Sequence, residues 1–234
     1  MSTQKLILDV ETVGVDFETL DAVSQKQMLR YFERYADSSE EVETAKDSLG
    51  LWPLTGEVVA IGILNPDTNK GAVYINAKGE DLPEELEPGV VIETGDETTI
   101  LKKWWETANA YNYLITYNGR GFDIPFLMVR SAINGIRPTK NFLSNRYLTS
   151  QQYGAIHVDL QDQMTFYGAM RKNFSLHFWS RAFDIKSPKE EGVSGEDVKG
   201  LYKDKKFLEI ARYNLGDLKA TKELYLKWNQ YLNI

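Results

Sequence analysis

The chain of 234 residues carries 34 acidic and 27 basic residues for a net charge of −7, and 42% of it is apolar, which suits one large domain with a sizeable core better than two small ones. With no cysteine and only His157 and His177, a disulfide framework, a thiolate zinc site, cysteine nucleophilic catalysis and most imidazole-rich metal centres are excluded. The acidic balance argues against a protein that coats nucleic acid through its overall charge, although it leaves room for a local basic path.

In chain order, Lys5-Leu-Ile-Leu-Asp-Val10 is a short β-branched apolar run, expected as a buried strand that ends at Gly14. Val23–Ala36 and Glu40–Leu49 show helical spacing within a polar insertion of about 15–52, closed by Trp52-Pro53. Glu57–Leu64 and Gly71–Asn76 read as strands joined by the turn-rich Asn65–Gly71, and a third strand follows an acidic loop at Glu80–Gly89. Asp96–Ala110 places Ile100, Leu101, Trp104, Trp105 and Ala108 on one helical side. A strand at Asn112–Tyr117, a glycine-bearing turn at Asn118–Phe122 and a helix at Asp123–Gly135 come next. Beyond them lie a strand at Ala155–Leu160, helical runs near Ser175–Phe183 and Glu196–Lys203, a surface loop at Glu190–Gly195, and a helix from about Lys205 to Tyr231. Strands interleaved with helices indicate an α/β architecture, a mixed sheet flanked by helices. No apolar run approaches the ~18 residues of a membrane span, and Met1–Asp9 lacks a leader pattern. The expectation is a cytoplasmic protein with no membrane partner.

Three features place carboxylates where carboxylates are costly. In Leu8-Asp-Val-Glu-Thr12, residues two apart on a strand face the same side, so Asp9 and Glu11 project together. A divalent cation would reconcile two adjacent anions; two solvated carboxylates at a strand end are the bland alternative. In Tyr117-Asn-Gly-Arg-Gly-Phe-Asp-Ile-Pro-Phe126, Asp123 opens a helix and, standing alone, reads as an N-cap, yet Asn118, Arg120 and Asp123 crowd one strand end, where α/β sheets bind ligands. On the last helix, positions 210, 213, 217, 220 and 224 share a face, so Asp217 and Tyr213 sit among inward residues. A buried carboxylate needs a partner, which is a cation or a nearby Arg212 or Lys219. Gly216 beside it suggests a close approach of backbone or ligand.

Taken together, Asp9, Glu11, Asp123, Tyr213 and Asp217 reproduce, in order and spacing, the DEDDy exonuclease pattern of the RNase H-like superfamily. With His157-Val-Asp-Leu160 and Ser175-Leu176, the chain resembles the predicted 3′-5′ exonucleases related to the exonuclease domain of family-B DNA polymerases. The resemblance spans nearly the whole chain and implies one RNase H-like exonuclease domain over 1–234, leaving the insertion weakly accounted for. Asn214 and Leu218 stand where cysteine and valine are expected, at positions read as carrying no chemistry.

The resemblance further implies two Mg²⁺ or Mn²⁺ ions about 3.5–4 Å apart. Asp9 would bridge them, with Glu11 and Asp217 completing the tighter site and Asp123 holding the second ion through water. Tyr213 would orient the attacking water, since a phenol of pKa near ~10 is a poor base at neutral pH. Thr12, Asn118, Arg120 and Phe122 are the implied substrate contacts. Phe174 is a further stacking candidate, Phe126 belongs to the core, and Arg171, Lys172 and the 203–206 cluster are candidate phosphate contacts. The implied partner is the 3′ end of single-stranded nucleic acid, DNA ahead of RNA, with a replication or repair polymerase as a possible protein partner. The rival readings are an RNA-trimming nuclease and a nucleic-acid-binding module without turnover.

Overall fold

Ten residues with alternating sides, Lys5–Gly14, form β1, and the computed structural model, which describes residues 4–187 and 195–233, sets this strand near the middle of the sheet. Leu6, Leu8 and Val10 point to one face and Ile7 and Val13 to the other. Antiparallel β2 (Gly56–Leu64) flanks β1 on one side, followed by β3 (Gly71–Asn76), β5 (Val90–Gly95) and the short edge strand β4 (Glu85–Glu87). Parallel β6 (Tyr113–Thr116) and β7 (Ile156–Asp159) flank its other side, which completes a mixed seven-stranded sheet. A bulge gives β2 an extra residue at Val59, opposite the Glu11–Thr12 step.

Helices cover both faces. Leu6, Leu8, Ile61 and Ile63 pack against Ile100, Leu101 and Trp104 of α3 (Glu97–Ala110) and Phe126 and Leu127 of α4 (Asp123–Ile133). On the opposite face, α8 (Phe207–Tyr231) lays Ile210, Ala211, Leu215, Leu218 and Leu224 over β1, β2 and β6, flanked by α5 (Leu160–Met164), α6 (Leu176–Ala182) and α7 (Val198–Lys203). Asp9 and Glu11 therefore face the longest helix, where Ile7 supplies apolar contact one step earlier.

The insertion after β1 forms α1 (Ala22–Tyr35) and α2 (Ser39–Lys46), capped by Asp21 and Ser38. Phe17, Phe32 and Leu49 give it a small core of its own. It is tied back to β1 where Thr12 Oγ1 donates to the Gly50 carbonyl at 2.7 Å. Two elements go beyond the expectation: β4 lies inside the segment read as an acidic loop, and α5 follows β7 directly because Asp159 caps it. Most of the loop expected at 190–195 lies outside the described residues. Among the described residues, no helix is long and apolar enough to cross a membrane.

Candidate active site

Parallel strands β6 and β7 end level with each other, Thr116 opposite Asp159, and β1 pairs with β6 through Lys5–Ile7 alone. The chain of β1 thus runs two to four residues past its parallel neighbour before presenting Asp9 and Glu11. One oxygen from each of Asp9, Glu11 and Asp217 falls within 4.8 Å of the others. Burial holds the Asp9 and Glu11 carboxyls well above the usual carboxylate range, and the facing Asp217 and neighbouring Asp123 push them further. Asp123, the first residue of α4, is buried behind this trio. Phe122 holds the N-cap position, so Asp123 is no plain cap. Burial raises its pKa to about 7, opposed by its own and Val10 backbone N–H groups.

Helix α8 brings three side chains to the cluster. Tyr213 hydrogen-bonds Asp217 one turn later, and burial beside three carboxylates pushes its phenol well above the ordinary value. Asn214, fully buried, donates to the Asp9 carboxylate at 2.8 Å and to the Asp9 carbonyl at 3.3 Å. Position 214 is therefore not chemically idle, contrary to the expectation from sequence. A close approach occurs at Gly62 of β2, where a Cβ would stand 1.8 Å from Asn214 Oδ1. Gly216 lines a separate groove with Leu86, Arg212 and Leu215.

A cavity of about 420 Å³ opens over the carboxylates. Asp9, Glu11, Tyr213 and Asp217 line it together with Tyr117, Asn118, Gln161, Asn173, Phe174 and His177. Of the expected substrate contacts, only Asn118 lines it. The Thr12 hydroxyl is spent on Gly50, the Arg120 guanidinium donates to the Phe142 and Leu143 carbonyls, and Phe122 packs on Phe126 with ring centroids 5.5 Å apart. Phe126 is core, as expected, and Phe174 reaches the cavity, its carbonyl accepting from the Tyr117 hydroxyl. Gln161, Asn173 and His177 were not singled out by sequence; they sit in loops and short helices without periodic signal. Asn214 had one, because 210, 214, 217, 221, 224 and 228 form an inward row whose residues are buried apart from half-buried Asp217.

The model of a family described as "Predicted 3'-5' exonuclease related to the exonuclease domain of PolB" matches residues 67–233. The chain belongs to this family. The match covers Asp123, Tyr213 and Asp217, while Asp9 and Glu11 lie before it and join them through the sheet. A DNA polymerase of Desulfurococcus sp. (strain Tok) is 28% identical over 171 residues, 66% of this chain and 20% of the polymerase. Glutamate–tRNA ligase 2 of Brucella suis biovar 1 (strain 1330) is 28% identical over 141 residues, 59% of this chain and 27% of the ligase. The chain thus spans about a fifth to a quarter of these curated relatives. The family B DNA polymerase of the archaeon Pyrobaculum calidifontis superposes with a TM-score of 0.62 at 17% identity, covering 98% of this chain and 25% of the polymerase. The fold is the RNase H-like fold of such exonuclease domains.

The donor set suits the divalent metals that such exonuclease domains use. It is all-oxygen, held on a strand and a helix, and free of thiol and imidazole among the described residues. Its mutual repulsion is what a bound cation relieves.

Proposed function

We propose that this exonuclease-family chain removes 5′-mononucleotides from the 3′ ends of single-stranded DNA in a reaction dependent on two divalent ions. The observation that carries the reading is the convergence of Asp9, Glu11 and Asp217 with Tyr213 in one open cavity. Asp9, Glu11, Asp217 and Asp123 would hold Mg²⁺ or Mn²⁺, which when bound acidify water and neutralise charge on the phosphodiester.

The remaining work falls to the chain's own groups. Tyr213 stays protonated at neutral pH, since its acidity is weakened beyond that of an ordinary phenol. It gives its proton to the Asp217 hydrogen bond and leaves lone pairs to orient a water, a positioning role and not a general base. Asn214 holds Asp9 in its rotamer from behind. Asn118, Gln161 and Asn173 offer neutral amides to the same cavity, suited to sugar and phosphate oxygens without adding charge. Phe174 offers a ring to a base, sequence-tolerant because every base has a π-face. Residues 1–234 act in this reading as one exonuclease domain with the helical insertion as an appended lobe. A polymerase is the candidate protein partner, since the family is described as related to the exonuclease domain of PolB.

Digestion of 3′- and 5′-labelled DNA and RNA oligomers with Mg²⁺, Mn²⁺ or EDTA tests the reading. Shortening of 3′ ends that stops in EDTA is the expected result, with DNA cut faster than RNA. Faster RNA trimming would move the substrate class, and cleavage undiminished by EDTA would refute the metal dependence.

A further inference from the structure

Asp159 ends β7 directly opposite Thr116 of β6, and only 3% of it is exposed. Its Oδ1 accepts the backbone N–H groups of Gln161 and Asn118, and its Oδ2 that of Arg120, each at 2.9 Å. Capping α5 accounts for the Gln161 bond alone. The other two cross to the turn that precedes α4, about 40 residues away in sequence. A neighbouring strap reinforces them. Thr116 Oγ1 accepts the Gly119 N–H at 3.1 Å and donates to His157 Nε2 at 2.8 Å, while His157 Nδ1–H donates to the Phe142 carbonyl at 3.1 Å. A carbonyl only accepts, so this bond fixes the histidine tautomer.

The turn needs such holding. Asn118 has φ 60°, in the left-handed region, and Gly119 lies so close to Thr116 that a Cβ would meet Oγ1 at 2.4 Å. The Gly121 and Phe122 N–H groups bond back to the Asn118 carbonyl, so the backbone donors from Asn118 through Phe122 are all satisfied within the protein. On this one turn hang Asn118, which lines the cavity, and Asp123, which stands behind the carboxylate trio; Gln161, on the far side of Asp159, lines the cavity too.

We propose that Asp159 is a positioning residue for the exonuclease reaction, its carboxylate fixing the 118–123 turn and with it the stance of Asn118 and Asp123 toward Asp9. The proposal rests on the exonuclease reading above. Asp159 touches neither substrate nor ion; it acts through backbone N–H bonds, and displacement of a group by about 1 Å is enough to cost ~10²-fold in rate.

Asp159→Asn, which turns an NH₂ toward N–H donors, tests it in the full chain. The expected result is a folded protein whose kcat on 3′-labelled single strands falls ~10²-fold with KM changing far less. In the metal-free state its Asn118 and Arg120 amides should exchange with solvent several-fold faster than in the parent. A folded variant with parental kcat and parental exchange overturns the proposal, as does a lowered melting temperature with kcat unchanged well below it. Should Asp159→Asn not fold, Thr116→Ser, which keeps the hydroxyl, is compared with Thr116→Val, which removes it; equal rates and equal exchange overturn the proposal, and loss in the valine variant alone supports it. An inactive parent would sink the exonuclease reading and with it the catalytic role of Asp159, while exchange measured without metal or substrate still decides whether Asp159 holds the turn.

Discussion

Asn214 turns its amide nitrogen toward Asp9 at 2.8 Å, and its buried Oδ1, which has no hydrogen-bond partner among the described residues, faces Gly62. A flipped amide would set oxygen against a carboxylate, so the orphaned oxygen is the consequence of serving Asp9. Asn214→Leu removes the donor and the orphan together. Metal-free stability should therefore shift by no more than about 1 kcal/mol, while the rate at sub-saturating Mg²⁺ drops, because Asp9 loses the bond that favours its charged form. Melting curves beside a Mg²⁺ titration of the rate check this; an unchanged titration would remove Asn214 from the site.

Gly62 on β2 offers the complementary test. A Cβ there would lie 1.8 Å from Asn214 Oδ1 and 2.8 Å from Leu218 Cδ1, both on fully buried side chains. Gly62→Ala should cost about 1–3 kcal/mol by overpacking and lower the rate by pushing Asn214 away from Asp9. Urea denaturation measures the first effect. Wild-type stability would mean that α8 rides further from the sheet than this contact implies.

Much of the fold was legible because the pattern and the burial agree. Lys5–Val10 reads as an apolar run and is the buried centre of a sheet, and Ile100, Leu101, Trp104 and Trp105 are the buried stripe of α3. The carboxylates were legible for the opposite reason, since Asp9 and Asp217 interrupt faces that are otherwise apolar. Thr12, Arg120 and Phe122 were legible as residue types near the site but not as contacts. Which way a side chain turns depended on partners from Gly50, Phe142 and Phe126, and sequence spacing does not report those. Strand β4 escaped because three acidic-flanked residues at an edge carry no alternation to read.

Asp9→Asn and Asp217→Asn should each abolish turnover and leave the metal-free protein at least as stable as the parent. Each removes one member of a trio whose charges repel across less than 4.8 Å. Thermal melting in EDTA provides the measurement. A large fall in melting temperature in both variants would mean that the carboxylates hold the fold.

The acidity of Asp123 gives metal binding a pH signature. Its folded pKa of about 7 lies above the ordinary 3.8, so between those values the folded chain binds a proton that the unfolded chain releases. The stability this supplies is fully present below 3.8 and is lost as pH rises through about 7. Asp9 and Glu11, also raised, add to the same trend. Divalent ions favour the ionised carboxylates, so the rise in melting temperature on adding Mg²⁺ should be larger at pH 8 than at pH 5.5, and Asp123→Asn should shrink the difference. A Mg²⁺ effect independent of pH would contradict the assignment.

Tyr213→Phe isolates one hydroxyl, since the ring that packs on the α8 face is kept. The phenol donates to Asp217 and is too weak an acid to serve as a base, so its loss removes orientation of the attacking water but no proton acceptor. The rate should fall by roughly 10²-fold, the low end for a positioned proton-transfer group, with the pH profile keeping its shape. Binding of a single-stranded oligomer with Ca²⁺ in place of Mg²⁺ should hardly change, because the cavity wall from Asn118 to Phe174 is untouched. Stability should shift by about one hydrogen bond, ~1 kcal/mol. Were the phenol instead the base, the variant would lose the alkaline limb of the profile along with its rate. Equal rates for variant and parent from pH 6 to 9 would reduce Tyr213 to a packed ring and leave the water to be oriented by the carboxylates alone.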